Sequence, residues 1–254
     1  MSPSDAKSTL GEPFIELSVV DSTNIYAMDK LQAKLAAPGS VYFAHHQTAG
    51  KGQMGKNWET QAGVNLTMSV ILDCSLLNIS QQFALSVVAA LACFDLFSQY
   101  AGDETSIKWP NDLYWRDRKA GGILIENQVR GHIWQTAVVG IGLNLNQTDF
   151  PASLKNPVSL KQITGKQENP VLMAKELLVF LQTRYTALLR GESVNQLDEY
   201  NLHLYKRGEQ VKLKSGSILF PCTIEKVNEA GELEISGWMK DRLVFGEVEW
   251  VMTT

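Results

Sequence analysis

Five consecutive residues, Lys108-Trp109-Pro110-Asn111-Asp112, set a cation, an aromatic ring, a rigid turn, an amide and a carboxylate side by side, and a second cation, Lys119, follows seven residues after Asp112. Lys119 stands directly before Ala120-Gly121-Gly122. Glycine at a strand start lets another backbone or a ligand approach, because no Cβ blocks the way. Upstream, Gly50-Lys51-Gly52-Gln53-Met54-Gly55-Lys56 joins three glycines to two lysines, with Trp58 just beyond. Such a loop can close over an anion or serve as a solvated hairpin tip. It does not open a helix, so it fails the context of a dinucleotide-binding turn, and it lacks the Gly-Lys-Ser/Thr ending of a phosphate loop. By composition alone, Pro110-Asn111-Asp112 is a turn between two strands.

These groups need elements to hold them. Pro13 to Val20 reads as a strand that gives way to a helix near Ser22, where Asp21, Ser22 and Thr23 can supply capping oxygens. The stretch Gly39 to Gly50 reads as a second strand running into the glycine loop, and another strand over Gly63 to Leu72 follows the loop, with Leu66, Met68 and Val70 on one face. Ser80 to Tyr100 carries Phe83, Val87, Ala90, Leu91 and Phe94 at helical spacing, with Gly102 as a stop. Three strands are expected next, in Thr105 to Pro110, Lys119 to Gln128 and His132 to Asn146, turning near Arg116-Asp117 and near Arg130-Gly131. A further helix has Asn169 as cap, Pro170 in its first turn, Leu172, Leu177, Leu178 and Leu181 as apolar residues, and Gly191 past its end. From about Arg207 the period becomes that of short strands joined by glycine turns, which predicts a small β-barrel of about five strands. Of the adjacent His45 and His46, one should face inward, and neither is assigned acid-base chemistry.

Composition narrows the classes. With 44% hydrophobic residues in 254, the chain can build a sizeable core. Lys and Arg number 23 against 27 acidic residues, and a net charge of -4 argues against nucleic-acid binding through overall charge. Cys74, Cys93 and Cys222 have no metal-ligand spacing and read as buried thiols in a reducing compartment. Polar breaks interrupt the N-terminal stretch where a secretory leader needs an apolar run, and no uninterrupted apolar segment of about eighteen residues occurs, so a cytoplasmic protein outside the membrane is expected.

Taken together, the motifs resemble the biotin protein ligases. That family carries a Ser-Thr-Asn triplet, a Gly-Arg-Gly-Arg-x-Gly loop, a Lys-Trp-Pro-Asn-Asp-Leu segment followed by a lysine and small residues, and a Gly-x-Gly-x-Asn strand. They occur here in that order as Ser22-Thr23-Asn24, Gln47 to Lys56, Lys108 to Leu113 with Lys119, and Gly140-Ile141-Gly142-Leu143-Asn144. The resemblance covers essentially the whole chain. It implies an α+β catalytic domain like that of class II aminoacyl-tRNA synthetases over residues 1–204 and an SH3-like barrel over 205–254.

The resemblance also implies the reaction: ATP activates biotin to biotinyl-5'-adenylate, and the biotinyl group passes to a lysine of a biotin carboxyl carrier protein domain of a biotin-dependent carboxylase. On that footing Ser22, Thr23, Asn24 and Gln47 bind the ureido end of biotin. Gly50, Lys51, Gly52 and Gln53 close over biotin, with Gly121 and Gly122 beneath. Lys119 neutralises the carboxylate and the developing charge on phosphorus, with Asp112 and Lys51 as its catalytic companions. Lys56, Trp58, Asn111, Asp112 and Asn144 serve the ATP side, Asp112 through Mg²⁺. The family's loop arginines are replaced here by Lys51, Gln53 and Lys56, so planar bidentate clamping is lost. About twenty residues precede Ser22, fewer than the roughly fifty or more that a DNA-binding domain needs, so no operator binding is expected. A lipoate or octanoate ligase and a non-catalytic biotin sensor are the alternatives, and monomer and homodimer both remain open.

Overall fold

The computed structural model describes residues 9–251. Part of the leader reading falls on residues 1–8, outside that range. The elements run β1 (Phe14–Leu17), α1 (Thr23–Gln32), β2 (Val41–Ala44), β3 (Leu66–Asp73), α2 (Gln82–Ala101), β4 (Thr105–Lys108), β5 (Asp112–Trp115), β6 (Arg118–Arg130) and β7 (Ile133–Leu143). They continue with α3 (Leu160–Thr164), α4 (Pro170–Leu189), α5 (Ser193–Leu202), β8 (Gln210–Ser215), β9 (Ile218–Val227), β10 (Leu233–Ser236), β11 (Arg242–Leu243) and β12 (Glu249–Trp250). A mixed seven-stranded sheet has the order β1-β2-β3-β7-β6-β5-β4, with only β1 and β2 parallel. The five C-terminal strands form a second sheet in the order β11-β10-β9-β8-β12.

Strand β3 shows how the main sheet separates core from site. Leu66, Met68, Val70 and Leu72 alternate onto the face covered by α2 and α4 and lie in the main core. Thr67, Ser69 and Ile71 point the other way. Ile71 joins Ala27, Tyr42 and Val138 in a small cluster under α1. Thr67 and Ser69 are buried without apolar company from that cluster. Beside them on the same face, Gly140 and Gly142 of β7 stand opposite Ser69 and Thr67. The sheet therefore has a covered face and a partly bare, glycine-paved face.

Several local expectations hold for the stated reasons. Gly102 and Gly191 have φ of 76° and 85°, left-handed values that end α2 and α4. Asn169 caps α4 through its side-chain oxygen, which accepts from Val171 N and Leu172 N. The three cysteines are buried and free. α2 is long and apolar enough to cross a bilayer by length and composition, a match the run-length criterion passed over. It is a core helix here, packed on α4, α5 and β4, with Gln99 its only exposed residue.

Others are corrected. The turn read at Pro110-Asn111-Asp112 is present, but it leads into a separate strand, β5, that pairs back on β4 and was not among the three strands expected over this stretch. α2 starts after a 3-10 turn, Ile79–Gln81, capped by Asn78. Leu172, one of the apolar residues read into α4, is exposed, while Met173 and Ala174 next to it are buried and face the core. α3 and α5 had no expectation; α3 is only five residues long, and α5 has mostly polar residues. Neither histidine is fully inward: His45 is exposed and pairs with Glu16 at 3.1 Å, and His46 is half-buried.

Candidate active site

The bare face of the sheet collects a polar cluster at the start of α1. Ser22 occupies the cap position but its side chain makes no capping bond; Asp21 Oδ1 accepts from Ser22 N instead, at 2.6 Å. The capping expectation for the Ser22 hydroxyl is thus corrected. Thr23 donates from its backbone N–H to Gln47 Oε1 at 2.7 Å, and the Thr23 hydroxyl lies 3.0 Å from the same oxygen. Asn24 donates through Nδ2 to Glu126 Oε2 at 2.9 Å and to Leu124 O at 3.3 Å. The wholly buried Ser69 hydroxyl lies 2.5 Å from Asn24 Oδ1 and 2.8 Å from Thr23 Oγ1. Gly140 makes room for this: a Cβ there would stand 2.1 Å from Asn24 Oδ1.

The glycine loop folds over the neighbouring floor as a tight hairpin. Trp58 N donates to Gly50 O at 2.8 Å, Gly52 N donates to Lys56 O at 2.7 Å, and Lys51 bridges Asn57. Gly50 is required at its place, since a Cβ would lie 2.4 Å from Trp58 O and 2.7 Å from Gln47 Nε2. Met54 at the tip adopts φ 54°, ψ 39° and lies against Gly246, in the turn between β11 and β12. Lys51 and Lys56 are exposed and form no ion pair among the described residues. Gln53 is half-buried, with Oε1 buried and unpartnered. Trp58 lays its ring on the floor: a Cβ on Gly142 would come within 2.4 Å of Cε2, and one on Gly122 within 3.5 Å of Cζ3. Its Nε1 is also buried without a partner.

Next to that ring, Lys119 Nζ and Asp112 Oδ1 form an ion pair at 2.7 Å, with side chains 33% and 23% exposed. That exposure leaves both within reach of a ligand. The β5–β6 hairpin brings them together, placing Asp112 opposite Gly122 and Tyr114 opposite Lys119. Gly122 faces this pair, whereas Gly121 faces Leu143 on the other side. Asn111 donates through Nδ2 to Ile123 O at 2.7 Å and so pins the turn to β6. Asn144 is buried, its Nδ2 donating to Val158 O at 3.2 Å and Lys119 O at 3.4 Å. Of the residues singled out in the sequence, the structure thus gathers Thr23, Asn24 and Gln47 at one end of the floor and Trp58, Asp112, Lys119 and Gly122 at the other. Asn111, Asn144 and Gly121 brace the backbone around them.

Two residues, Ser69 and Glu126, had no signal strong enough to single them out, and Lys108, although part of the telling motif, had no expected role of its own. Ser69 sits in an otherwise apolar strand, Leu66–Asp73, and a hydroxyl in such a run is the one hint available. Glu126 lies far along β6. Lys108 is buried, with its Nζ 3.0 Å from Tyr114 Oη and 4.4 to 5.4 Å from the ring centroids of Tyr114, Trp250 and Tyr205. Burial pulls its amine down to about 8, with Lys119 acting in the same direction and Asp112 against it. The unfolded chain holds that proton up to its ordinary 10.5, so between these values the unfolded state binds more protons and stability rises with pH. Lys108→Arg cannot shed its charge. The stability advantage of the wild type over Lys108→Arg, read from urea midpoints, should therefore widen from about pH 8 to about pH 10.

The fold is that of solved biotin protein ligases. The Aquifex aeolicus protein, in complex with biotin and ATP, is 24% identical with a TM-score of 0.76, covering 94% of this chain and 98% of that one. The Leishmania major protein, in complex with biotinyl-5-AMP, is 21% identical with a TM-score of 0.61 over the same shares. A biotin–[acetyl-CoA-carboxylase] ligase of Paracoccus denitrificans is 30% identical over 238 residues, 87% of this chain and 93% of that one. The bifunctional ligase/repressor BirA of Bacillus subtilis is 35% identical over 181 residues, and the match spans about half (54%) of its length. Residues 16–144 match the Biotin/lipoate A/B protein ligase family. The chain belongs to that family.

Proposed function

We propose that the protein is a biotin–protein ligase that activates biotin with ATP and delivers it to a lysine of a biotin carboxyl carrier protein domain. The observation that carries this reading is the continuity of the floor. A polar cluster of Thr23, Asn24 and Gln47 at one end leads past Gly142 and Trp58 to the Lys119–Asp112 pair at the other. A ureido ring needs acceptors and donors at one end of the ligand; a carboxylate needs a cation at the other.

In the first step a biotin carboxylate oxygen attacks the α-phosphorus of ATP, and pyrophosphate leaves. Lys119 draws the two anions together and stabilises the negative charge that builds on the phosphoryl oxygens. In the second step the carrier lysine amine attacks the mixed anhydride carbonyl, AMP leaves, and an amide forms. The loop from Gly50 to Lys56, with Ser22, Gly52, Gln53 and Lys51 in the roles given above, shields the adenylate from water. Trp58, Lys56, Asn111, Asp112 and Asn144 serve the nucleotide side.

No cluster of three or more His, Cys, Asp or Glu residues exists among the described residues to cage a metal. One accessible carboxylate beside the phosphate position fits Mg²⁺, which keeps waters and takes one or two carboxylates with phosphate oxygens. Asp112 would hold it, and the ion would neutralise phosphate charge. We read residues 1–204 as a class II synthetase-like catalytic domain and 205–254 as an SH3-like domain, in a monomer or homodimer in the cytoplasm.

The test is ATP–pyrophosphate exchange with Mg²⁺ and biotin, lipoate or octanoate supplied separately. Exchange is expected with biotin alone and should vanish with EDTA. Exchange with lipoate or octanoate instead would assign the site to an acyl group without a ureido ring.

A further inference from the structure

The polar cluster holds too few protons for its oxygens. Three oxygen–oxygen contacts run in a row: Asn24 Oδ1 to Ser69 Oγ at 2.5 Å, Ser69 Oγ to Thr23 Oγ1 at 2.8 Å, and Thr23 Oγ1 to Gln47 Oε1 at 3.0 Å. Only two hydroxyl protons, those of Ser69 and Thr23, are available to fill them. Turning an amide does not help. Asn24 has Nδ2 committed to the Glu126 carboxylate and Leu124 O, so a reversed amide would set oxygen against both. Gln47 Oε1 already accepts the Thr23 backbone N–H at 2.7 Å, and a reversed amide would set N–H against N–H. One of the three contacts therefore has no proton.

The distances and partners say which. Asn24 Oδ1 carries no hydrogen, so the shortest contact requires the Ser69 proton. Ser69 Oγ is then left as an acceptor, and the Thr23 proton is drawn to it at 2.8 Å. The empty place falls between Thr23 Oγ1 and Gln47 Oε1. We propose that Glu126, Asn24 and Ser69 form a directional hydrogen-bond relay that turns the Thr23 hydroxyl proton away from Gln47, leaving Thr23 Oγ1 and Gln47 Oε1 as paired acceptors for one N–H of a ureido ligand. Glu126 and Ser69 are positioning residues: Ser69 is wholly buried and acts only through Thr23 and Asn24. The Gln47 side of the slot lies near Gly50, at the root of the loop, where a Cβ would come within 2.7 Å of Gln47 Nε2. A ligand with an N–H donor supplies the missing proton; a purely alkyl or dithiolane acyl group does not.

This rests on the biotin reading above and deepens it. The test measures calorimetric Kd values of the wild type, Ser69→Ala and Glu126→Ala for biotin and for biotin methylated at each ureido nitrogen in turn. In Ser69→Ala the Thr23 proton is free to turn onto Gln47 and fill the slot itself. Biotin binding should weaken roughly three- to tenfold, the worth of one hydrogen bond, with kcat at saturating biotin unchanged. Methylating the nitrogen that faces the slot should cost the wild type markedly more than it costs Ser69→Ala. Glu126→Ala should move in the same direction by less, because Leu124 O still holds the Asn24 amide. Equal methylation penalties in the wild type and Ser69→Ala overturn the relay while leaving the ligase reading intact. A wild type that binds no biotin overturns the ligase reading itself.

Discussion

Lys119→Ala should lose biotin-dependent ATP–pyrophosphate exchange by about 100- to 1,000-fold, the scale of removing a charge-stabilising donor from a reaction centre. The fold should hardly notice. The Lys119 and Asp112 side chains are 33% and 23% exposed, so water can rehydrate Asp112 when its partner goes. A change within about 0.5 kcal/mol of wild-type stability is expected. The two readouts must therefore separate: exchange collapses while the melting temperature stays. Near-normal exchange in a folded variant would remove Lys119 from the reaction. A melting temperature that falls in parallel would make the ion pair a brace of the β5–β6 hairpin instead.

Gly140→Ala should have the second-largest effect, for steric reasons. Its Cβ would stand 2.1 Å from Asn24 Oδ1 and 2.8 Å from its Cγ. Asn24 is buried and tied on two sides, so it cannot simply swing aside. A cost of about 1–3 kcal/mol in stability is expected from such overpacking, together with a roughly 10- to 100-fold rise in the KM for biotin as the polar cluster is displaced. Removing the obstruction from the other side distinguishes packing from binding. The double variant Asn24→Ala/Gly140→Ala should recover much of the stability by denaturant titration but none of the biotin affinity. If Gly140→Ala alone keeps wild-type KM, Asn24 plays no part in the ligand site.

The charged end of the site, with the Lys119–Asp112 pair, was legible because it is local in sequence. Lys108 to Lys119 builds a hairpin within a dozen residues, so its turn and glycines announce both the geometry and the charge. The polar end is assembled from four separated stretches, around Thr23, Gln47, Ser69 and Glu126. Ser69 and Glu126 have no sequence neighbour to give them away. Their roles come from strand register: Ser69 opposite Gly140, and Gly140 opposite Leu124, two residues before Glu126. Asn111 and Asn144 show the converse limit. Each lies inside a telling motif, yet each commits its amide to backbone carbonyls, which composition cannot distinguish from ligand binding. α5 escaped notice because its polar surface gives almost no apolar stripe, and tertiary contacts with α2 hold it in place.

Strand β4 is the last of its sheet, but it is not left bare. Ile107 N donates to His203 O, and Tyr205 N donates to Ile107 O, so the segment leaving α5 runs alongside as a short extra rung before entering the second sheet. An uncovered edge of this kind would template pairing with another chain. The same rung makes the connector to the C-terminal strands part of the strand that ends in Lys108. Unfolding that carries the connector away therefore strips main-chain partners from β4, and the connector and the edge of the first sheet should open in one cooperative step.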